Sequence, residues 1–116
     1  MDTVQQLEQQ RRAVLEQMQA IRSMQRGTVN EQYLKVPHKG RAQPALCGPY
    51  YVLTSKRAGR TVSRRLTGPD QVAAARADVA AHRQFVELCQ QFERLTEQLG
   101  HLERSGRVGQ EKKRRS

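Results

Sequence analysis

The first stretch of the chain carries apolar residues at helical spacing. No glycine or proline occurs between residues 1 and 26, and most residues there are good helix formers. The apolar positions repeat at intervals of three, four and seven. Within the interval of seven, Arg11 occupies the heptad position where another apolar residue is expected. We predict a helix over residues 3–26 that ends at Gly27, either an ordinary amphipathic helix or one strand of a coiled coil. Its candidate interface residues are Leu7, Val14, Met18 and Ile21.

A second and clearer helical pattern occupies residues 69–103. After an alanine-rich start, apolar residues recur at alternating intervals of three and four. Thr67-Gly68 offers a capping position, and Pro69 suits the first turn of a helix. The pattern predicts one long helix whose seam is buried against the first helix or at an interface. The seam residues are Phe85, Leu88, Phe92, Leu95 and Leu99.

Residues 50–66 have the alternation of a β-hairpin. Tyr50–Ser55 and Thr61–Leu66 are rich in β-formers, and the five residues of Lys56–Arg60 connect them, with Gly59 where a positive φ is needed. A lone hairpin is marginal in water, so this one needs a third strand or a helix beside it.

Residues 28–49 admit two interpretations. Thr28 with Glu31 is consistent with a capping box that opens one helical turn. Tyr33–Val36 is instead a candidate third strand, and residues 37–44 have the composition of a loop.

These elements predict an α+β fold within one domain. Two long antiparallel, coiled-coil-like helices would flank a small, basic, two- or three-stranded antiparallel sheet inserted between them. The expected segments are an N-terminal helix (1–27), a basic hairpin module (28–68), a long helix (69–103) and a disordered basic tail (104–116). The tail is expected to be disordered because Val108 is its one apolar side chain.

Charge is concentrated in part of the chain. The net charge is +10, yet residues 1–31 are neutral and residues 70–103 are acidic. Residues 32–69 hold eight basic groups and no acidic group. A surface built for solubility mixes both signs, so the single sign indicates an anionic partner, with a solvated sheet face as the alternative.

The candidate nucleic-acid-binding residues follow from this charge pattern. Tyr50 joins them as a stacking or phosphate-bonding residue, although packing against the second helix is the other interpretation for the tyrosines. The set is Lys35, Lys39, Arg41, Tyr50, Lys56, Arg57, Arg60, Arg64, Arg65, Lys112, Lys113, Arg114 and Arg115.

The sequence gives no sign of catalytic chemistry. His38, His82 and His101 are scattered, and His38 with Cys47 supplies too few ligands for a closed zinc site. We therefore expect no enzyme activity, no cofactor and no metal. The N-terminal residues lack a signal-peptide pattern and no apolar run is long enough for a membrane span, so we expect a cytoplasmic protein without a membrane partner.

Three motifs resemble a family of small uncharacterised bacterial and archaeal proteins. They are the segments Gly27–Tyr33, Gly48–Thr54 and Gly59–Thr67, which contain Gly-Pro-Tyr-Tyr and Ser-Arg-Arg-Leu. The resemblance covers about residues 22–95, and it implies a companion of mobile elements or transposases. Members of that family carry several cysteines in the loop where this chain keeps only Cys47. The hairpin is also similar in shape to the small sheets of tyrosine-type integrases.

Two functions are consistent with these features. The first is a non-enzymatic nucleic-acid-binding accessory protein, with DNA favoured over RNA, that grips the polyanion with its hairpin and tail. The second is a coiled-coil adaptor whose helices dock onto a larger protein. In both, the helices pair within the chain, with a second copy or with a partner.

Overall fold

The computed structural model describes residues 3–37, 40, 43 and 45–115, the last nine of these by backbone alone. The elements are α1 (Val4–Ala20), β1 (Thr28–Val36), β2 (Ala45–Arg57), β3 (Arg60–Leu66) and α2 (Gly68–Arg115). The three strands form an antiparallel sheet in the order β1-β2-β3. The predicted α+β class is therefore confirmed, with a three-stranded sheet between two helices in the chain.

The chain forms two compact units that share α2. One unit contains α1 and the part of α2 from Arg83 onward, and the other comprises Ser23–His82. In the second unit, Val72, Ala75 and Val79 face the sheet and form a buried cluster with Leu53 and Leu66. Their spacing of three and four residues places them on one side of the helix. The alanine-rich start of α2 therefore packs on the sheet.

The unit that contains α1, which we call the helix-pairing unit, buries part of the predicted seam. Leu7 and Val14 of α1 and Leu88 and Leu99 of α2 are buried. Arg11, in the heptad position without an apolar residue, lies with its guanidinium 4.9 Å from the centre of the Phe92 ring. Its Nε also donates to Thr96 Oγ1 over 3.1 Å. Five other predicted interface residues are half-buried, namely Met18, Ile21, Phe85, Phe92 and Leu95.

Helix α1 is shorter than its pattern predicts. It begins with a capping box between Thr3 and Gln6, but it ends at Ala20 instead of at Arg26. Beyond it, Ser23 Oγ donates to Asp78 Oδ1 over 2.8 Å. The backbone N–H of Gln25 donates to the backbone carbonyl of Asp78 over 3.0 Å. These hydrogen bonds to α2 hold residues 23–25 outside the helix, so the prediction that Gly27 caps it is wrong.

Gly27 instead allows a close approach of two backbone segments. Its φ is +132°, and a Cβ at this position would lie 2.5 Å from the Thr54 carbonyl oxygen. The next residue opens β1, which covers all of Thr28–Val36. The capping-box interpretation of Thr28 and Glu31 is therefore wrong, and the third strand is longer than Tyr33–Val36.

Two further predicted boundaries are corrected. The hairpin connection is the two-residue turn Ala58-Gly59, because Lys56 and Arg57 belong to β2 and Arg60 begins β3. Helix α2 continues to Arg115, so the predicted disorder over 104–116 is wrong up to that residue. An established helix extends without a new nucleation cost, and the Glu, Gln, Lys and Arg residues there favour extension.

In the unit Ser23–His82, which we call the sheet unit, two leucines of β2 differ in burial, and this difference can be tested. Leu53 is 4% exposed, whereas Leu46 is 67% exposed. We expect Leu53→Ala to lower the free energy of unfolding by about 2–5 kcal/mol, because it leaves a cavity against α2. Urea denaturation measures this change. Leu46→Ala is the matched control and should change stability by less than about 1 kcal/mol. Equal effects of the two substitutions would contradict the packing of β2 on α2.

Candidate nucleic-acid interface

The β2–β3 hairpin extends beyond the edge of β1. The first β1–β2 pair is Thr28 with Thr54, whereas β2 and β3 remain paired out to Arg57 with Arg60. Residues 55–62 therefore form a two-stranded segment with no third strand beside it, which we call the projecting ribbon. Every residue from Lys56 to Val62 is exposed. The basic side chains at its end are thus available to a partner.

The turn of the projecting ribbon has a conformation that favours tight hairpins. Ala58 has a φ of +51° and Gly59 a φ of +78°. Positive φ at both central residues is the geometry of a type I′ turn, whose twist matches that of the flanking strands. The turn places Arg57 and Arg60 directly opposite each other. Like charges in paired positions destabilise a hairpin, and a bound anion removes that repulsion.

The sheet register divides the predicted basic residues between two faces. Alternation along the strands places four of them on the side of Leu53, which faces α2, and two on the opposite side, which we call the open face. The first group is Lys35, Arg57, Arg60 and Arg64, and the second is Lys56 and Arg65. The basic residues therefore do not form one flat patch, and only the three in the projecting ribbon are concentrated.

Arg64 differs from the other basic residues on the same face because it lies next to α2, outside the projecting ribbon. It lines a small cavity with Gln25, Gln71 and Asp78. Because an acidic residue lines the same cavity, Arg64 is a weaker candidate for phosphate binding than the residues of the projecting ribbon.

A second acidic group lies within the sheet itself. Tyr33 Oη donates to Glu31 Oε1 over 3.2 Å, and this hydrogen bond, together with the negative charge of Glu31, raises the pKa of the Tyr33 phenol. Glu31 is paired with Tyr51 in the register. The acid-free character of residues 32–69 in sequence therefore does not extend to the whole sheet in space.

The open face is rich in short side chains that form hydrogen bonds. Thr54 and Ser63 lie side by side on it, with their hydroxyl oxygens 3.4 Å apart. Arg65 lies over the Tyr50 ring, 4.0 Å from its centre. The Tyr50 ring therefore contacts an arginine on the open face and does not pack on the α2-facing side of the sheet. The polar residues of β1 on this face are Thr28, Asn30 and Gln32.

A second arginine–tyrosine pair lies on the other side of β2, and sequence reasoning missed it. Arg76 of α2 lies over the Tyr51 ring, 5.2 Å from its centre. The adjacent tyrosines of the Gly-Pro-Tyr-Tyr motif thus each hold one arginine, on opposite faces of one strand. Arg76 follows Ala75 in a segment whose net charge is negative. Only its position one turn after Val72 indicated that it lies near the sheet.

Other predicted binding residues lie outside the described parts. These are Lys39 and Arg41, together with the side chains of Lys112, Lys113, Arg114 and Arg115. Among the described residues, no group of three or more His, Cys, Asp or Glu is arranged to hold a metal ion. In the same part of the chain, no helix combines the length and the apolar character needed to cross a membrane.

Comparisons of the chain with protein-family models, with curated proteins and with solved structures found no match. The resemblance to the mobile-element family therefore stays a prediction.

The turn geometry predicts the effect of one uncharged substitution. Alanine in the left-handed region costs roughly 1–2 kcal/mol, whereas asparagine adopts it readily and Asn-Gly is a preferred type I′ pair. We expect Ala58→Asn to slow hydrogen exchange of the amides of the projecting ribbon. Ala58→Val, with a branched side chain at the same φ, should speed it. If both variants exchange like the original chain, the two-residue turn is wrong.

Proposed function

We propose that the protein is a non-enzymatic nucleic-acid-binding protein that grips duplex DNA with the projecting ribbon. The observation that carries this proposal is the ribbon itself. It exposes Lys56, Arg57 and Arg60 around one tight turn, and Arg57 and Arg60 are paired across it. A protein gains nothing in stability from this arrangement, whereas a polyanion is attracted by it and releases counterions on binding.

The shape of the ribbon favours DNA over RNA. A two-stranded β-ribbon fits the major groove of B-form DNA, which is about 12 Å wide. The major groove of A-form RNA is deep and too narrow for side chains to read. The ribbon extends beyond β1, so it can enter a groove ahead of the rest of the sheet.

The open face supplies groups that suit the edges of bases. Asparagine and glutamine pair with adenine in the major groove, arginine pairs with guanine, and serine and threonine bond to either. Asn30, Gln32, Ser63 and Arg65 lie on this face. Under the proposal, the ribbon provides affinity for phosphates and the open face provides any sequence preference.

The proposed biological setting is that of an accessory protein of mobile elements. Its support is the resemblance of the three motifs at Gly27–Tyr33, Gly48–Thr54 and Gly59–Thr67.

A second candidate function is docking onto a larger protein through the helices. Val4 and Leu15 of α1 and Val86 of α2 are each about two-fifths exposed, at 40%, 42% and 40%. Under this candidate function, a partner chain would cover these apolar side chains of the helix-pairing unit. This function does not require the ribbon, so charge changes there separate the two candidates.

The test neutralises the ribbon and measures affinity for a random DNA duplex at several salt concentrations. Each phosphate contact contributes about 0.9 to the slope of log affinity against log salt. We expect the triple variant Lys56→Gln, Arg57→Gln, Arg60→Gln to reduce that slope by about 2.7, which is three contacts. A duplex RNA of the same sequence should bind more weakly than the DNA.

The matched control removes the same net charge elsewhere. Arg12, Arg22 and Arg83 are exposed residues outside the projecting ribbon, and their triple change to Gln should leave most of the slope intact. An equal loss in both triple variants would show general charge attraction without a ribbon interface. An unchanged slope in the ribbon variant would favour the docking function.

A further inference from the structure

A cavity lies where β3 ends beside β2. The last β2–β3 pair is Tyr51 with Leu66, so Pro49 and Tyr50 have no strand on that side. The first turns of α2 close the other side of this gap. The resulting cavity has a volume of about 680 Å³, within the range of sites that hold small molecules. Its lining is Pro49, Tyr50, Tyr51, Arg65, Leu66, Thr67, Gly68, Pro69, Val72, Ala73 and Arg76.

The lining combines an apolar floor with two positively charged side chains. Leu66 and Val72 are buried beneath the cavity, and Pro49 and Pro69 add further apolar surface. Both arginine–tyrosine pairs belong to the lining, and no Asp or Glu does. A guanidinium placed over a ring uses the ring face and leaves N–H groups available, and these suit a phosphate. The site therefore suits a ligand with a flat apolar part and an anionic part.

A nucleotide has both parts. Its base can lie against the proline, leucine and valine surface or against a tyrosine ring, while its phosphate meets Arg65 or Arg76. A base inside a duplex cannot reach such a recess, because it is stacked and paired. The occupant must therefore be a nucleotide that is already unpaired or has been turned out of the duplex.

The cavity is also continuous with the proposed DNA interface. Strand β3 runs from Arg60 in the projecting ribbon to Leu66 in the lining of the cavity. Six residue steps of an extended strand cover about 20 Å, which corresponds to roughly six base pairs of B-form DNA. In a duplex that is bound by the ribbon, the nucleotides about half a helical turn from the ribbon would therefore lie near the cavity.

We propose that this cavity holds one unpaired nucleotide, so that the preferred ligand is duplex DNA with a bulged or extruded base. The inference rests on the proposed function for the identity of the polymer. It adds a specific ligand structure and assigns a role to Arg76, which no charge pattern in the sequence singled out.

The experiment compares two duplexes that differ by one unpaired 2-aminopurine nucleotide, with at least about ten base pairs on each side to fill one turn. We expect the original chain to bind the bulged duplex on the order of ten-fold more tightly, the factor that one stacked base supplies. The chain has no Trp, and two of its three Tyr line the cavity, so tyrosine emission reports occupancy directly. The emission of 2-aminopurine should change in parallel.

Two substitutions in the cavity have matched controls on α2. Ala73→Phe fills the cavity from an exposed position, and Arg76→Gln removes one charge. Both should abolish the ten-fold preference and leave affinity for the fully paired duplex nearly unchanged. Ala80→Phe and Arg83→Gln repeat the same changes seven residues further along, outside the cavity lining, and should keep the preference.

The outcomes separate this inference from the proposed function. If the original chain binds both duplexes equally, or if Ala73→Phe keeps the preference, the nucleotide site is wrong even though the ribbon binds DNA. If neither duplex binds, the proposed function fails. A short dinucleotide then tests the cavity alone, and quenching of tyrosine emission that Ala73→Phe removes would preserve the site. Quenching by an acidic peptide with none by the dinucleotide would overturn it in favour of a protein ligand.

Discussion

The packing of Leu53 and Leu66 against Val72, Ala75 and Val79 is the constraint on which the sheet unit depends. A three-stranded sheet has two faces, and this chain has enough apolar side chains to cover only one of them. The first turns of α2 supply that cover, and their small alanines bring the helix close to β2. Because the sheet is anchored at this one cluster, the hairpin can extend past β1 and still keep its shape. The other face carries hydroxyl, amide and guanidinium groups together with Val52 and Tyr50.

This one-sided packing explains how the chain carries its charge. Within the described residues, no charged side chain is buried, so the basic groups keep their hydration. Repulsion at the turn between Arg57 and Arg60 is reduced by water and by salt, since exposed charges are screened over about 10 Å at 0.1 M ionic strength. The ribbon therefore tolerates its charges in isolation, and under the proposed function its binding to DNA would release counterions condensed on the phosphates.

Sequence patterns predicted the elements better than they predicted the boundaries or the site. The β-formers around Tyr50 and Thr61 and the apolar seam from Phe85 to Leu99 define the hairpin and the second helix because local spacing determines them. The end of α1 depends on hydrogen bonds from Ser23 and Gln25 to Asp78, which are distant in sequence. Charge counting indicated the basic residues of the hairpin, but it could not separate Arg64, which lines a cavity with Asp78, from Lys56 on the other face. That separation requires the strand register, which the sequence alone does not determine.

The two kinds of basic group on the sheet unit suit two different tasks. Lys56, Arg57 and Arg60 surround an exposed turn, where long side chains adapt to phosphates without a defined geometry. Arg65 and Arg76 lie over the rings of Tyr50 and Tyr51, so each guanidinium already has a partner before a ligand arrives. Binding to a group that is already ordered costs less entropy, and it rewards a ligand of matching shape. The adjacent tyrosines therefore hold one arginine each, next to the part of β2 that has no β3 partner.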